Sequence, residues 1–275
     1  MQLKSLLLPA VASAFIAAVS QAPSPAPVSE APPQAAGYSL VFEDNFHPLD
    51  LSADGRGDHN WYNGVWFRHQ LPPNSNVETT HGYLSIHWKR EQGTPETSIT
   101  TLSRDLRHFR AWRYGYFEAQ MKWRPVRGSW PAFWLIPVQD AQRTNMYGST
   151  RESGEIDIFE GQGERTHDYY ATIHDWINSK DAHNNGGNNR LTLPSQTDYA
   201  QWHTYGLLWT PGKMTWYFDN VPIHSESTYG VFDMQDYYLA LTEQVGPNWK
   251  YGSTVGVDEN DMSLDVRWVR VWQQR

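Results

Sequence analysis

The stretch Gly154-Glu155-Ile156-Asp157-Ile158-Phe159-Glu160 decides how this chain is read. In an extended strand, successive side chains point to opposite faces. Ile156 and Ile158 then enter a core, while Glu155 and Asp157 share the other face. Three carboxylates within six residues repel one another, so on an otherwise apolar strand they point to chemistry. A solvated acidic edge is the alternative, and the flanking Ile and Phe argue against it. Glu160 lies five residues after Glu155, where regular alternation places it on the core face. One extra residue, a β-bulge at Ile158 or Phe159, returns it to the face of Glu155 and Asp157. Bulges near active sites serve this re-aiming.

Outward from that strand the same kind of pattern recurs. Val41-Phe42, Leu84 to Trp88, Tyr116 to Trp123, Phe133 to Ile136, Tyr170 to Trp176, Tyr205 to Trp209, Thr215 to Phe218, Tyr238 to Leu241 and Leu264 to Trp272 are rich in aromatic and β-branched residues. Turn residues such as Pro211-Gly212 and Asp219-Asn220 separate them. No long helical period is present. Many short strands between turns predict an all-β fold, a β-sandwich of jelly-roll type with a concave substrate cleft.

The N-terminus reads differently. Lys4, an apolar run from Leu6 to Val19 and the small-residue pattern Ser20-Gln21-Ala22 predict a secretory signal peptide over residues 1–22. An uncleaved anchor is the alternative. Five prolines between Pro23 and Pro33 predict an extended linker over residues 23–36. One domain then runs over residues 37–275. Export implies an extracellular or periplasmic location. With no cysteine at all, the fold has no disulfide to rely on. The net charge of -8 disfavours nucleic acid and sulfated polymers as partners. The 14 tryptophans suit either core packing or stacking against sugar rings.

Glu-Ile-Asp-Ile-Phe-Glu resembles the signature of glycoside hydrolase family 16, in the bulged form typical of laminarinases. Tyr114 to Lys122 and Gly128 to Leu135 are similar to the family's strands before the catalytic one. Asn74 to Val77 and Val269 to Gln273 look like its opening and closing strands. The resemblance implies a retaining, endo-acting hydrolase of a β-linked polysaccharide. Glu155 is then the nucleophile, Glu160 the general acid and base, and Asp157 the residue that holds Glu155. It further implies β-1,3-glucan or mixed-linkage glucan as substrate and no required cofactor. Separately, signal cleavage is expected to leave no membrane contact, and the chain is expected to be a monomer.

Strand alternation puts Trp130 and Trp134 on one face, as a stacking platform for sugars, with core packing as the alternative. By resemblance His174 faces the cleft beside the carboxylates, and Asn74 bonds a sugar; a structural His and a turn Asn are the plain readings. Gln120, Thr242 and Gln244 depart from the family pattern at positions expected to line the cleft. They keep open a β-galactan or a bacterial exopolysaccharide as substrate. A lectin-like module that binds glycans without cutting them has no need for the three acids together. Relatives often hold a structural calcium between the first and last strands. Here Glu43 or Asp44 stands at one end and Arg267, with Asp265 nearby, at the other. A guanidinium repels a cation, so Arg267 is expected to replace the ion by pairing with Glu43 or Asp44; the alternative is that Asp265, with a bulge, still supplies a ligand and the calcium remains.

Overall fold

Two sheets carry nearly all the regular structure of the computed structural model, which describes residue 32 and residues 35–65, 70–139, 153–163, 165, 167–177, 180–183, 190–193, 197–246 and 260–274. The carboxylate sheet holds β2 (Leu51–Ser52), β3 (Trp61–Asn63), β6 (Glu96–Thr100), β7 (Ala111–Trp112), β9 (Ser129–Pro137), β10 (Ser153–Glu160), β11 (Asp168–Ile177), β12 (Lys180–Asp181), β13 (Arg190–Thr192) and β17 (Tyr237–Val245). Its order is β12-β11-β10-β9-β17-β6-β3-β2, with β13 on β11 and β7 on β17. The opposite sheet holds β1 (Tyr38–Asp44), β4 (Val77–Glu78), β5 (Leu84–Lys89), β8 (Gly115–Trp123), β14 (His203–Thr210), β15 (Lys213–Phe218), β16 (Val221–Ser227) and β18 (Asp261–Gln274). Its order is β16-β15-β14-β8-β18-β5-β4, and β1 pairs along the C-terminal half of β18. The all-β sandwich expected from the strand pattern is what forms.

Side-chain alternation explains the stacking. Ile156, Ile158 and Phe159 of β10, Phe133 and Leu135 of β9, and Leu239 and Leu241 of β17 are all buried. They share one apolar cluster with Phe117 and Met121 of β8, Leu207 and Trp209 of β14, and Val269 and Val271 of β18. Each such side chain contributes about 1.5–3 kcal/mol by leaving water, and the chain has no cysteine to add a disulfide.

The expected signal peptide, residues 1–22, lies outside the described residues. Of the expected linker, only Pro32, Ala35 and Ala36 are described. Ala35 is fully buried against Tyr116 and Trp272, so packing begins before the expected boundary at residue 37.

The last strand corrects one expectation. Its register on β8 shifts between Val266 and Trp268. Met262, Leu264 and Val266 face the core before the bulge, and Val269 and Val271 after it. Arg267 therefore does not share a face with Val269. It donates to Gln120 Oε1 at 3.0 Å and lies over the Trp202 ring, far in partnership from β1. Arg270 instead ties the chain ends together, its Nε 2.7 Å from Glu43 Oε1.

Candidate active site

Position 154 is glycine because the backbone runs against Tyr237 and Phe232, whose atoms occupy the space of any Cβ. From there β10 pairs regularly as far as Asp157, which lies opposite Thr172 on β11 and Trp134 on β9. On the far side of a register shift, Phe159 lies opposite Phe133, and Glu160 opposite Ala132 and Tyr170. The strand carries one extra residue, at the place where alternation required it. Ile158 and Phe159 both enter the core, and Glu155, Asp157 and Glu160 emerge together on the outer face. A bulge disrupts the ladder, and here the carbonyl of Asp157 accepts the indole N–H of Trp216 at 2.9 Å. Trp216 belongs to β15, so the opposite sheet supports the bulge through the core.

Each carboxyl on that face has its own partners. Glu155 Oε2 accepts from Trp176 Nε1 at 2.9 Å, and Glu160 Oε1 accepts from Trp130 Nε1 at 3.0 Å. His174 lies between two acids, its Nε2 3.1 Å from Asp157 Oδ2 and its Nδ1 2.7 Å from Asp181 Oδ2. Burial and then the charge of Asp157 raise the Glu155 carboxyl to about 7, against the lowering pull of His174 and the Trp176 N–H. Burial, then Asp157, hold Glu160 well above the ordinary carboxylate range, with His174 and the Trp130 N–H opposing. Burial alone lowers a histidine, but the hydrogen bonds to Asp157 and Asp181 outweigh it and raise His174 to about 12. The site is a proton-holding acid cluster with one cation built into it. Such a cluster is equipped for acid, base and nucleophilic work on one bond.

The neighbouring strands complete the face. Trp134 donates its Nε1 to Thr242 Oγ1 at 3.0 Å, and Thr242 bonds Ser98 in turn. Gln244 lies opposite Trp130 and Glu96 across the sheet and is partly exposed. Trp130, Trp134, His174, Thr242 and Gln244 thus share the sheet face of the three acids.

The model of glycosyl hydrolases family 16 matches residues 73–254, a stretch that includes the whole acid cluster. This chain belongs to that family. The protein is a glycoside hydrolase. It is 29% identical over 257 residues to a glucan endo-1,3-beta-glucosidase of Cryptopygus antarcticus, covering 86% of this chain and 92% of that one. It is 28% identical over 259 residues to a beta-glucanase of Rhodothermus marinus, covering 86% of this chain and 85% of the other. Among solved structures, laminarinase from Flavobacterium sp. UMI-01 superposes with a TM-score of 0.65 at 25% identity, covering 86% of this chain and all of that one.

One expected cleft residue, Gln120, sits elsewhere. Gln120 lies on the outer face of the opposite sheet, paired with Thr204 and Trp268 and bonded to Arg267. Strand alternation gave its face correctly relative to the core but not which sheet β8 belongs to. Asn74 is exposed, and its Oδ1 accepts from Asn63 Nδ2 at 2.6 Å. That bond fastens a turn, and no described contact joins Asn74 to the acids. Two residues of the cluster were missed. Trp176 follows His174 by two positions and was legible by alternation. Asp181 reaches His174 only through the β11–β12 hairpin register.

Neither candidate metal site fits an ion. Glu155, Asp157 and His174 offer ligand atoms within 4.8 Å of one another. A metal takes the lone pair of a neutral imidazole, whereas both His174 nitrogens face carboxylates and its proton is tightly held. At the expected calcium position, the Asp44 oxygens are taken by Phe46 N–H, Asn60 and Trp61. Glu43 is taken by Arg270, and Asp265 by Ser85 and Lys122. Among the described residues, most of the carboxylate oxygens that a hard cation would need there are already committed.

Proposed function

We propose that this protein is a secreted, retaining, endo-acting hydrolase of β-1,3-glucan or mixed-linkage β-glucan. The observation that carries the reading is the bulge that returns Glu160 to the face of Glu155 and Asp157. Two carboxyls in different protonation states across one glycosidic bond are what a retaining mechanism needs. Glu160 holds its proton and gives it to the leaving oxygen. Glu155, whose anion is stabilised by the Trp176 N–H and the His174 charge, attacks the anomeric carbon and forms a glycosyl-enzyme. Glu160, now ionised, takes a proton from water as the water oxygen attacks the anomeric carbon, the bond to Glu155 breaks, and the sugar leaves with its configuration kept. The names of the two curated relatives support a glucan substrate. The apolar N-terminal run supports secretion.

A β-galactan is the second reading, favoured by the polar Thr242 and Gln244 on the site face where the family resemblance implies an Asn-led apolar stretch. A reducing-sugar assay across laminarin, lichenan, agarose and a β-galactan decides between them. Laminarin as the best substrate is the expected result, and turnover of the galactan alone overturns the glucan reading. Proton NMR of the first products tests the mechanism: the β-anomer should appear first and then mutarotate. First appearance of the α-anomer excludes retention.

A further inference from the structure

The mechanism above gives Asp181 no part. Asp181 ends β12, a strand of only two residues at the edge of the carboxylate sheet. It pairs with Trp176 across the hairpin, so its side chain comes to the side of β11 that carries His174. Its Oδ2 lies 2.7 Å from His174 Nδ1. Its Oδ1 accepts the backbone N–H of Asp175 at 3.2 Å and of His183 at 3.1 Å. A carboxylate that takes three donors has its direction set.

So short an edge strand needs fastening, and the residue after next supplies it. His183 Nε2 lies 3.1 Å from Glu226 Oε2, and its Nδ1 lies 3.1 Å from the Tyr229 hydroxyl. The other oxygen of Glu226 meets His224 Nε2 at 2.7 Å. His224 and Glu226 belong to β16, the edge strand of the opposite sheet. The hairpin is clasped to the other half of the sandwich.

We propose that Asp181 is a positioning residue that holds His174 as an imidazolium aligned on Asp157, and so keeps a fixed cation beside the reacting carboxylates. The inference rests on the retaining mechanism proposed above. A neutral imidazole has one N–H and can donate to only one of the two acids. The imidazolium donates to both. The groups that face His174 are Glu155, Asp157 and Glu160 from β10 and Asp181 from β12, while Trp176 stacks on the ring at 5.2 Å between centroids. Three acids on β10 with no cation resist the ionisation that Glu155 needs. The charge of His174 lowers both Glu155 and Glu160, and it weighs more on Glu155 than the opposing charge of Asp181 does. Without Asp181, burial works against that charge with one hydrogen-bonded anion fewer to oppose it, and the ring has one anchor instead of two.

A plainer role is open to the same residue: Asp181 shapes the hairpin through its two backbone bonds and nothing more. The two roles separate in one set of measurements on the full chain. Nitrogen NMR of protein labelled at its 11 histidines, with His174 assigned by the His174→Asn variant, reports the ring protonation directly. Both ring nitrogens of His174 should stay protonated from pH 6 to beyond pH 9 in the unmodified protein. Asp181→Asn should move the midpoint down by about one pH unit or more, a tenfold or greater loss of proton affinity. On the best polysaccharide substrate, Asp181→Asn should lower kcat roughly ten- to a hundredfold, the scale on which partners behind a working group act, and leave KM within about twofold. In the His174→Asn background the same substitution should change kcat by less than about twofold, because the interaction it removes is already gone. An equal loss in both backgrounds assigns Asp181 to the hairpin alone and overturns the proposal. So does a His174 that titrates near pH 6.5 in the unmodified protein, a result that needs no variant to fold. Failure of the retaining mechanism would show separately, as turnover surviving in Glu155→Gln, and the NMR titration would still judge Asp181.

Discussion

Two of the bulged strands among the described residues, β10 and β18, put the bulge to different uses. In β10 the extra residue lets Ile158 and Phe159 both enter the core and brings Glu160 out beside Glu155 and Asp157. In β18 it leaves Arg267 and Trp268 both outside and switches the core face from even to odd positions. The first bulge builds the site. The second aims Arg270 at Glu43 and takes Arg267 away from it. The lesson is that a break in alternation carries no functional meaning by itself; what matters is which side chains it brings to a shared face.

The largest effect expected on the β10 side is chemical. Glu155→Gln should lower kcat/KM by at least about a thousandfold, since the proposed mechanism routes the covalent intermediate through this carboxylate while Asp157 is held by His174 and Glu160 works as acid and base. Folding should be unharmed, because the variant removes a carboxyl whose ionisation burial disfavours. Near-normal turnover in a folded variant would break the comparison at its main point.

A second buried carboxyl sharpens it. Glu243 of β17 faces the core, accepts from Ser129 Oγ at 2.9 Å and from Trp130 N–H at 3.3 Å, and is raised to about 8, first by burial. A raised carboxyl binds its proton more tightly in the folded state, so its contribution is present below the unfolded value near 4.5. It is lost as pH rises through about 8. The melting temperature should therefore fall across that window, and Glu243→Gln should flatten the fall while keeping both donors served. An unchanged pH slope in the variant would show that Glu243 is not the group responsible.

Trp176→Phe tests how the site tunes its nucleophile. The lost N–H stabilised the Glu155 anion, so the acid limb of kcat/KM should move up in pH by about one unit, the worth of one hydrogen bond to a charged group. A limb that stays in place would mean that Glu155 is not the group it reports.

The smallest effect belongs to β18. Arg270→Ala should leave kcat/KM unchanged and cost about 0.2–1 kcal/mol, because Glu43 is 36% exposed and water screens the pair. Melting curves in chelator and in millimolar calcium should coincide. A fall of several degrees in chelator, reversed by calcium, would show that the ends are tied by an ion and not by Arg270.

Much of the architecture was legible in the sequence for a common reason. Every strand expected from aromatic and β-branched runs lies on an observed strand, because half-buried pleated surfaces demand those residues. Strands built from other residues were not seen. β6 reads Glu96-Thr97-Ser98-Ile99-Thr100, small and polar, yet all five are buried under neighbouring side chains. β16 is a largely polar edge strand that takes its order from pairing with β15. The β18 bulge was written in the shift from Met262, Leu264 and Val266 to Val269 and Val271, but only a core on one side gives that shift meaning.

The sequence by itself determined the all-β class, the shared face of Glu155 and Asp157, and the need for one extra residue before Glu160. Those are local matters, settled by alternation along one strand and by the cost of hiding an acid in a core. Only the tertiary structure decided which sheet holds Gln120, which arginine meets Glu43, that Trp216 reaches through the core to the carbonyl of Asp157, and that Asp181 stands behind His174. Each of these depends on the register between strands. Register is set by how whole faces pack, and a slip of one residue along any of them would turn a partner to the other side.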